Sequence, residues 1–387
     1  MFETLYISIG YILIAILSIT FLIQLYLYIH PYSSIIRKNK KEKKQNSEED
    51  NVQPSVSIII CAKNESNNLQ SFLPLIFEQE YSDYEVIVVN DGSFDDTVNI
   101  LKDFQLKYNN LYVTNIPEDV NIISRKKLAL TVGIKAAKNE ILLLTDADCR
   151  PSSKHWISKM VSQFKPGTEF VLGIGDYLTE KSFINKLICY DTLTIAMQYI
   201  GFAAIGSPYM GVGRNIAYRR ETFFNNNGFA GFLQISSGDD DLFVNHHATK
   251  HNTQTETSFE SITLSIPKQT FKDWFHQKTR HLCSSKLYTT KSKYLVMIEP
   301  ITKGLFYLSL LLLLIFYYNN YYLTIAGVSM YLIRYFTQLL VYNLTSKIYK
   351  RKNLYLSIIL FDLLLPLINV YIFSIYNKLH KRVEYSW

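Results

Sequence analysis

Ile141-Leu142-Leu143-Leu144-Thr145-Asp146-Ala147-Asp148 is a short apolar run that ends in two carboxylates one residue apart. A continuous apolar run of this length fits a strand covered on both faces. The same pattern extends back from it. Val56 to Cys61 is a β-branched run that stops at the polar turn Lys63-Asn64-Glu65-Ser66, and a helical stretch continues to Glu78. Glu85 to Val89 is the next strand and ends in Asn90-Asp91-Gly92-Ser93. Thr97 to Tyr108 is helical, Leu111 to Asn115 extended, and Lys126 to Lys138 a helix leading into the quoted strand. Apolar strands alternating with helices predict an α/β domain with a mostly parallel sheet. Ligands of such sheets bind beyond the carboxyl ends of the strands, where all three polar clusters lie.

Hydrophobic segments flank this domain. Leu5 to Ile29 carries no charge over about 25 residues, more than a helix needs to cross a bilayer. Tyr26, Tyr28 and His30 follow it in place of the small residues of a cleavage site, so it is read as an uncleaved anchor. The basic run Arg37 to Lys44 comes next and orients the chain, with everything from Arg37 onward cytoplasmic. Leu305 to Tyr318 and Tyr322 to Tyr342 read as two spans joined at Asn319-Asn320. Lys347 to Lys352 is a basic loop, and Leu354 to about Ile375 is a third apolar run. A full third crossing puts His380-Lys381-Arg382 on the far side, against the positive-inside bias. The alternatives are a segment that turns back at Pro366 or a local failure of the rule. The expected organisation is an anchor at 1–30, a basic and polar linker at 31–54, the α/β domain at 55–290, a membrane region at 300–377 and a basic tail at 378–387.

The net charge of +7 does not call for a nucleic-acid partner. Much of the excess sits in the two basic clusters beside apolar segments, where anionic membrane lipid accounts for it. The four cysteines form no CxxC pair, and a cytoplasmic domain keeps them reduced.

Asp146 and Asp148 are costly to hold together at the end of a buried strand without a cation. Hard oxygen donors suit Mg²⁺ or Mn²⁺ bound together with substrate phosphates. A capped turn is the plainer reading of the same residues. Glu65 and Asp91 are acceptors suited to a nucleoside base and ribose, or caps of the helices that follow. Lys126 and Lys127 can neutralise phosphate or lie solvated on a helix.

Together, Ile58-Ile59-Ile60-Cys61-Ala62-Lys63-Asn64-Glu65, Val88-Val89-Asn90-Asp91-Gly92-Ser93, Arg125-Lys126-Lys127-Leu128-Ala129-Leu130 and Leu144-Thr145-Asp146-Ala147-Asp148-Cys149 resemble the family 2 glycosyltransferases over roughly residues 55 to 290. The resemblance implies an inverting enzyme with the GT-A fold, a Rossmann-like α/β domain, here with one N-terminal and about three C-terminal transmembrane helices. It implies that Ala62, Asn64, Glu65, Asp91, Lys126 and Asp146 hold the nucleotide sugar, and that Asp148, with Asp146, binds Mg²⁺ or Mn²⁺. Arg125 stands where the family usually has Gly. Ser236-Ser237-Gly238-Asp239-Asp240-Asp241-Leu242 resembles the segment that carries the catalytic base, which implies Asp239, with Asp240 as the other choice. Gln277-Lys278-Thr279-Arg280-His281 resembles the Gln-x-x-Arg-Trp motif of membrane-bound members, which implies that Gln277 and Arg280 serve the donor, although His281 departs from Trp. Gly211-Val212-Gly213-Arg214-Asn215 resembles the loop that positions the acceptor or sugar.

The expected function is transfer of a sugar from a nucleotide-sugar donor, a UDP-sugar first, to a lipid-linked, lipid or polysaccharide acceptor at the cell membrane. A sugar nucleotidyltransferase is the rival, but Lys63-Asn64-Glu65-Ser66 replaces its Gly-rich phosphate loop. An inactive membrane scaffold of the same fold is the other. Phe183 to Gly206 carries only Lys186 and Asp191 as charges and reads as a buried core helix, a span, or an interfacial helix. A span would split the active site across the membrane, and the interfacial reading is preferred. Arg334 and Asp362 sit inside apolar runs, each eight residues from the boundary at Tyr342 or Leu354. A rise of about 1.5 Å per residue gives both the same depth on antiparallel helices, so a direct ion pair is expected.

Overall fold

The computed structural model describes residues 2–42, 53–118, 122–235 and 237–379. Met1, residues 43–52 of the linker, residues 119–121, Ser236 and the basic tail from 380 lie outside the described residues. Helix α1 (Phe2–Leu27) passes through a π-helical turn (Tyr28–Tyr32) into α2 (Ser34–Glu42). The catalytic half follows as β1 (Val56–Ala62), α3 (Ser66–Phe77), β2 (Tyr84–Asp91), α4 (Thr97–Lys107), β3 (Leu111–Ile116), α5 (Arg125–Ala136) and β4 (Ile141–Asp146). Then come β5 (Cys149–Pro151), α6 (Trp156–Val161), β6 (Phe170–Leu172), β7 (Gly175–Tyr177), α7 (Phe183–Ala204), β8 (Ile216–Arg219), α8 (Arg220–Asn225), α9 (Asp241–His247), β9 (Thr253–Thr255) and β10 (Thr263–Ser265). Helices α10 (Phe271–Ser285), α11 (Thr290–Phe316), α12 (Tyr321–Ile348) and α13 (Tyr355–Leu379) complete the chain.

The main sheet has the order β3-β2-β1-β4-β8-β6-β9. Strands β1 to β4 pair in parallel, while β8 runs antiparallel to both β4 and β6. Val56, Ile58, Ile60, Val86, Val88, Ile141 and Leu143 face one buried layer, and Ile59, Ile87, Val89, Leu142 and Leu144 face the other. Both faces are therefore dry, which is why these strands read as continuous apolar runs. A small sheet, β5-β10-β7, stands at the carboxyl edge just past Asp148.

Among the described residues four segments, Tyr6–Glu42, Phe183–Ala204, Thr290–Phe316 and Tyr321–Ile348, are long and apolar enough to cross a membrane, and α13 carries a shorter apolar stretch, Ser357–Ile372. Helix α13 runs unbroken with Pro366 inside it, so the chain does not turn back there. Asn320 caps α12 by accepting from the Leu323 N–H, which makes the expected tight hairpin with α11.

The segment over α7 corrects the interfacial expectation. Within its most apolar window 72% of the residues are buried inside the protein. It packs on the π-turn, α2, β7 and β9. A Cβ added at Gly201 would lie 2.6 Å from the Pro31 carbonyl oxygen, so glycine lets the two backbones meet. Buried residues lie all round this helix, so the sequence shows no polar stripe to reveal its orientation.

The two charges inside the apolar helices do pair. Arg334 Nη1 lies 2.8 Å from Asp362 Oδ2. Lys303, which the sequence reading did not single out, adds a second cation 2.9 Å from Asp362 Oδ1 and pairs with Glu299 as well. Tyr307 donates to Asp362 at 2.6 Å and Gln338 at 2.9 Å, while Arg334 also donates to Gln24 and Tyr28. The cluster draws on α1, α11, α12 and α13, and Gln338 reaches Tyr190 on α7. Two acids and two bases balance, so desolvation is offset within the cluster. Removing Asp362 alone strands two cations on one remaining acid. Asp362→Ala is expected to lose about 3–5 kcal/mol of stability, whereas Asp362→Ala with Arg334→Leu loses less. Thermal unfolding of the purified variants in detergent checks the order of the two midpoints.

Candidate active site

The strand ends converge on one cavity lined by Cys61, Lys126, Asp146, Gly213, Asp239 and Asp240. Register explains the convergence, since Cys61 on β1 is opposite Asp146 on β4. Lys126, in the first turn of α5, places Nζ 3.1 Å from Asp146 Oδ1 and 3.3 Å from Asp239 Oδ2. One ammonium thus bridges the acid at the strand end and an acid more than ninety residues later. Burial pushes the Asp146 carboxyl up, but Lys126 beside it, with Arg214 and Arg280 further off, holds it below the usual carboxylate range. Burial together with Asp146 raises Asp148, and Arg214 and Lys268 nearby offset this only in part.

Asp146, Asp148 and Cys149 bring one donor atom each within 4.8 Å of one another. Cys149 is a poor partner for a hard cation. Burial raises its thiol, which donates to Asp148 Oδ1 at 3.3 Å and lies 2.9 Å from Ser265 Oγ. The two carboxylates are oxygen donors of the kind that suits Mg²⁺ or Mn²⁺, and holding their oxygens this close favours a cation between them. The residues fit a divalent ion.

The three consecutive acids have different tasks. Asp240 caps α9 by accepting from the Asp241 N–H at 2.8 Å, and its other oxygen accepts from the Gly213 N–H at 2.5 Å. Burial, reinforced by Asp239 and Asp241, lifts Asp240 to about 7. Asp241 accepts from Ser284 at 2.5 Å and from Tyr288 at 2.8 Å. Asp239 Oδ2 is buried and, among the described residues, faces only the Lys126 ammonium. Of the three, Asp239 is the carboxylate whose oxygen is not used to hold the fold.

The nucleotide side shows what sequence reading missed. Asp91 is already paired with Arg125, whose Nη2 and Nε lie 2.7 Å and 2.9 Å from its Oδ1. Arg125 stands where a glycine was expected, and its guanidinium reaches across the position that residue would leave open. Asn64 adopts φ 56°, accepts from the Phe94 N–H and donates its own N–H to Ser93, so it knits two strand-end loops together. Asn68 donates to Glu65, whose carboxyl is raised by burial and by Asp148 and Asp146. Ala62 closes β1 and is buried. Gln277 donates to the Tyr177 hydroxyl at 2.9 Å, and Arg280 lies exposed one turn on along α10. Arg214 stacks 4.4 Å over the Tyr177 ring and adds positive charge near Asp146 and Asp148.

Residues 57–229 match the family described as Glycosyl transferase family 2. The chain carries a family 2 glycosyltransferase domain. A stretch of 111 residues is 36% identical to Glycosyltransferase AglE of Haloferax volcanii, over 28% of this chain and 35% of that protein. Another of 93 residues is 34% identical to a poly-beta-1,6-N-acetyl-D-glucosamine synthase of Staphylococcus epidermidis, over 24% of this chain and 21% of the relative. These matches span about a third and a fifth of the two relatives' lengths. The solved mannosyltransferase PcManGT from Pyrobaculum calidifontis, in complex with GDP-Man and Mn²⁺, covers 79% of this chain and 86% of its own at TM-score 0.54 and 17% identity. That likeness shows the GT-A fold.

Lys127 was read as a possible phosphate ligand and faces the other way. Its Nζ donates to the carbonyls of Phe232, Ile235 and Ser237 at 2.8, 2.6 and 2.5 Å. It clamps the loop that delivers Asp239, and burial lowers its ammonium to about 8. Lys127→Met would leave three carbonyls without their charged donor. The expected cost is about 3 kcal/mol, with cleavage concentrated near residues 232–240. Limited proteolysis beside thermal unfolding checks both parts.

Proposed function

We propose that the chain is a membrane-bound inverting glycosyltransferase. It takes a sugar from a nucleoside diphosphate donor, a UDP-sugar first, and places it on a lipid-linked, lipid or polysaccharide acceptor. The observation that carries this reading is the single cavity in which Asp146, Lys126 and Asp239 meet. Support comes from the family match and from the likeness to a mannosyltransferase seen with GDP-Man and Mn²⁺.

On this reading Glu65 and Asp91, at the ends of β1 and β2, accept from the nucleoside base and ribose beside the Ala62 backbone. Arg125 restrains the Asp91 carboxylate while it does so. Mg²⁺ or Mn²⁺ on Asp148 and Asp146 would supply positive charge to the departing diphosphate. Lys126 lies where it can trade its carboxylate contacts for phosphate oxygens. Gln277 and Arg280 approach from α10, where a guanidinium can clamp phosphate bidentately. Asp239 removes the proton from the attacking acceptor hydroxyl. A single displacement at the anomeric carbon inverts it.

The roles separate experimentally. Asp148→Ala removes metal-dependent donor binding. Asp239→Asn leaves donor affinity within about threefold of the parent and lowers turnover by at least about a hundredfold. Calorimetry with Mn²⁺ and a transfer assay over a panel of nucleotide sugars measure the two quantities. Near-parental turnover in Asp239→Asn would remove the base assignment.

We place the domain on the cytoplasmic side. The positive-inside bias of Lys38, Lys40, Lys41 and the 347–352 loop supports this, and Tyr349 to Arg351 of that loop touch the domain itself. A cysteine introduced at Ser47 should stay unlabelled by an impermeant thiol reagent on intact cells and react after lysis.

A further inference from the structure

The α12–α13 loop was read as a basic patch facing lipid. Three consecutive residues in it are instead docked on the catalytic domain. Tyr349 is buried and donates to the Thr257 carbonyl, and Lys350 lies 4.0 Å over the Phe259 ring. Arg351 forms an ion pair with Asp176, with both side chains less than a tenth exposed, and donates to the Cys189 carbonyl at 2.8 Å. The loop is built for this. Lys350 takes the left-handed conformation at φ 54°, the Lys350 N–H bonds to Lys347 and the Arg351 N–H to Ser346. That double bond is a Schellman cap, which fixes the direction in which Arg351 leaves α12.

Its partner, Asp176, sits on a strand that holds Arg214 and Gln277. Strand β7 is only Gly175, Asp176 and Tyr177. The Gly175 and Asp176 carbonyls accept from Arg214 at 3.3 and 3.4 Å. Tyr177 lies under the Arg214 guanidinium and accepts from Gln277. Arg214 and Gln277 therefore both depend on where β7 lies, and β7 is held from the other side by Arg351.

We infer that Arg351 is a positioning residue for sugar transfer: the ion pair it makes from the membrane loop sets β7, and through β7 the placement of Arg214 and Gln277 on the donor's diphosphate. The inference rests on the proposed transfer function. Arg351 itself touches no substrate. Its effect passes through a carboxylate and one short strand, and misplacement of donor contacts by even an ångström carries a large kinetic penalty.

The test uses full-length protein purified in detergent, comparing the parent with Arg351→Met, which keeps length but not charge, and Arg351→Lys, which keeps charge. Arg351→Met is expected to cut kcat by about tenfold or more and to weaken Mn²⁺-dependent nucleoside diphosphate binding by about fivefold, while Arg351→Lys stays within about threefold on both. Losing one partner of a buried pair lowers the thermal midpoint of Arg351→Met, so kcat and affinity are measured well below the midpoint of every sample, which separates positioning from loss of folded protein. If Arg351→Met unfolds, Asp176→Asn, which keeps the shape of the partner, is expected to show the same paired loss. An Arg351→Met or Asp176→Asn protein with parental kcat and affinity overturns the inference alone. A parent that binds no nucleoside diphosphate and transfers no sugar overturns the functional reading, and this inference with it.

Discussion

Asp362 is the point on which the helical half of the molecule depends. It accepts from two cations and two neutral donors that come from α11 and α12, and through Arg334 the network extends to α1. Apolar helices have little reason of their own to choose one another in lipid, because a neighbouring chain is no more apolar than an acyl tail. A buried carboxylate with matched cations supplies that reason, because alternative arrangements leave a charge without its counterion. The link from Gln338 to Tyr190 carries the arrangement into α7 and so to the underside of the glycosyltransferase domain.

The same electrostatic economy operates at the site. Lys126 is shared between Asp146 and Asp239, Arg125 is held by Asp91, and Arg214 is spread over the approach to Asp148. Each cation lies where the proposed donor would bring negative charge. Asp240 and Asp241 are tied to backbone and hydroxyl donors. This division singles out Asp239 in a run of three identical residues, where spacing alone could not.

The parallel half of the sheet was legible because its strands are dry on both faces and stop abruptly in polar clusters. Burial on both sides writes itself as an unbroken apolar run, and β1 to β4 were bounded to within one or two residues. The depth argument also found Arg334 and Asp362, since helix rise is regular enough to compare positions on neighbouring helices. Three features were not legible. Lys303 hid midway along α11, just before the apolar run from Leu305, where a charge draws no notice. Lys127 and Lys126 are adjacent in sequence yet reach different partners, and only the packing tells which meets the acids. Arg351 lay in a run of bases whose simplest reading is lipid attraction, and composition carries no trace of the buried carboxylate that claims it. Short strands such as β7 gave no periodic signal at all.

The π-helical turn after α1 gives the proposed membrane enzyme an unusual mechanical character. Pro31 sits in that turn with its carbonyl against Gly201, and α2 then lies along α7 and α12. The chain leaves its first anchor bolted to the domain instead of trailing from it. A catalytic domain on a loose leash samples a range of heights above a bilayer and can work on groups at any of them. One fixed at both ends behaves as a calliper. On the proposed function its opening would stand at a set distance from the lipid, and an acceptor would be selected partly by how far its reactive hydroxyl projects from the surface.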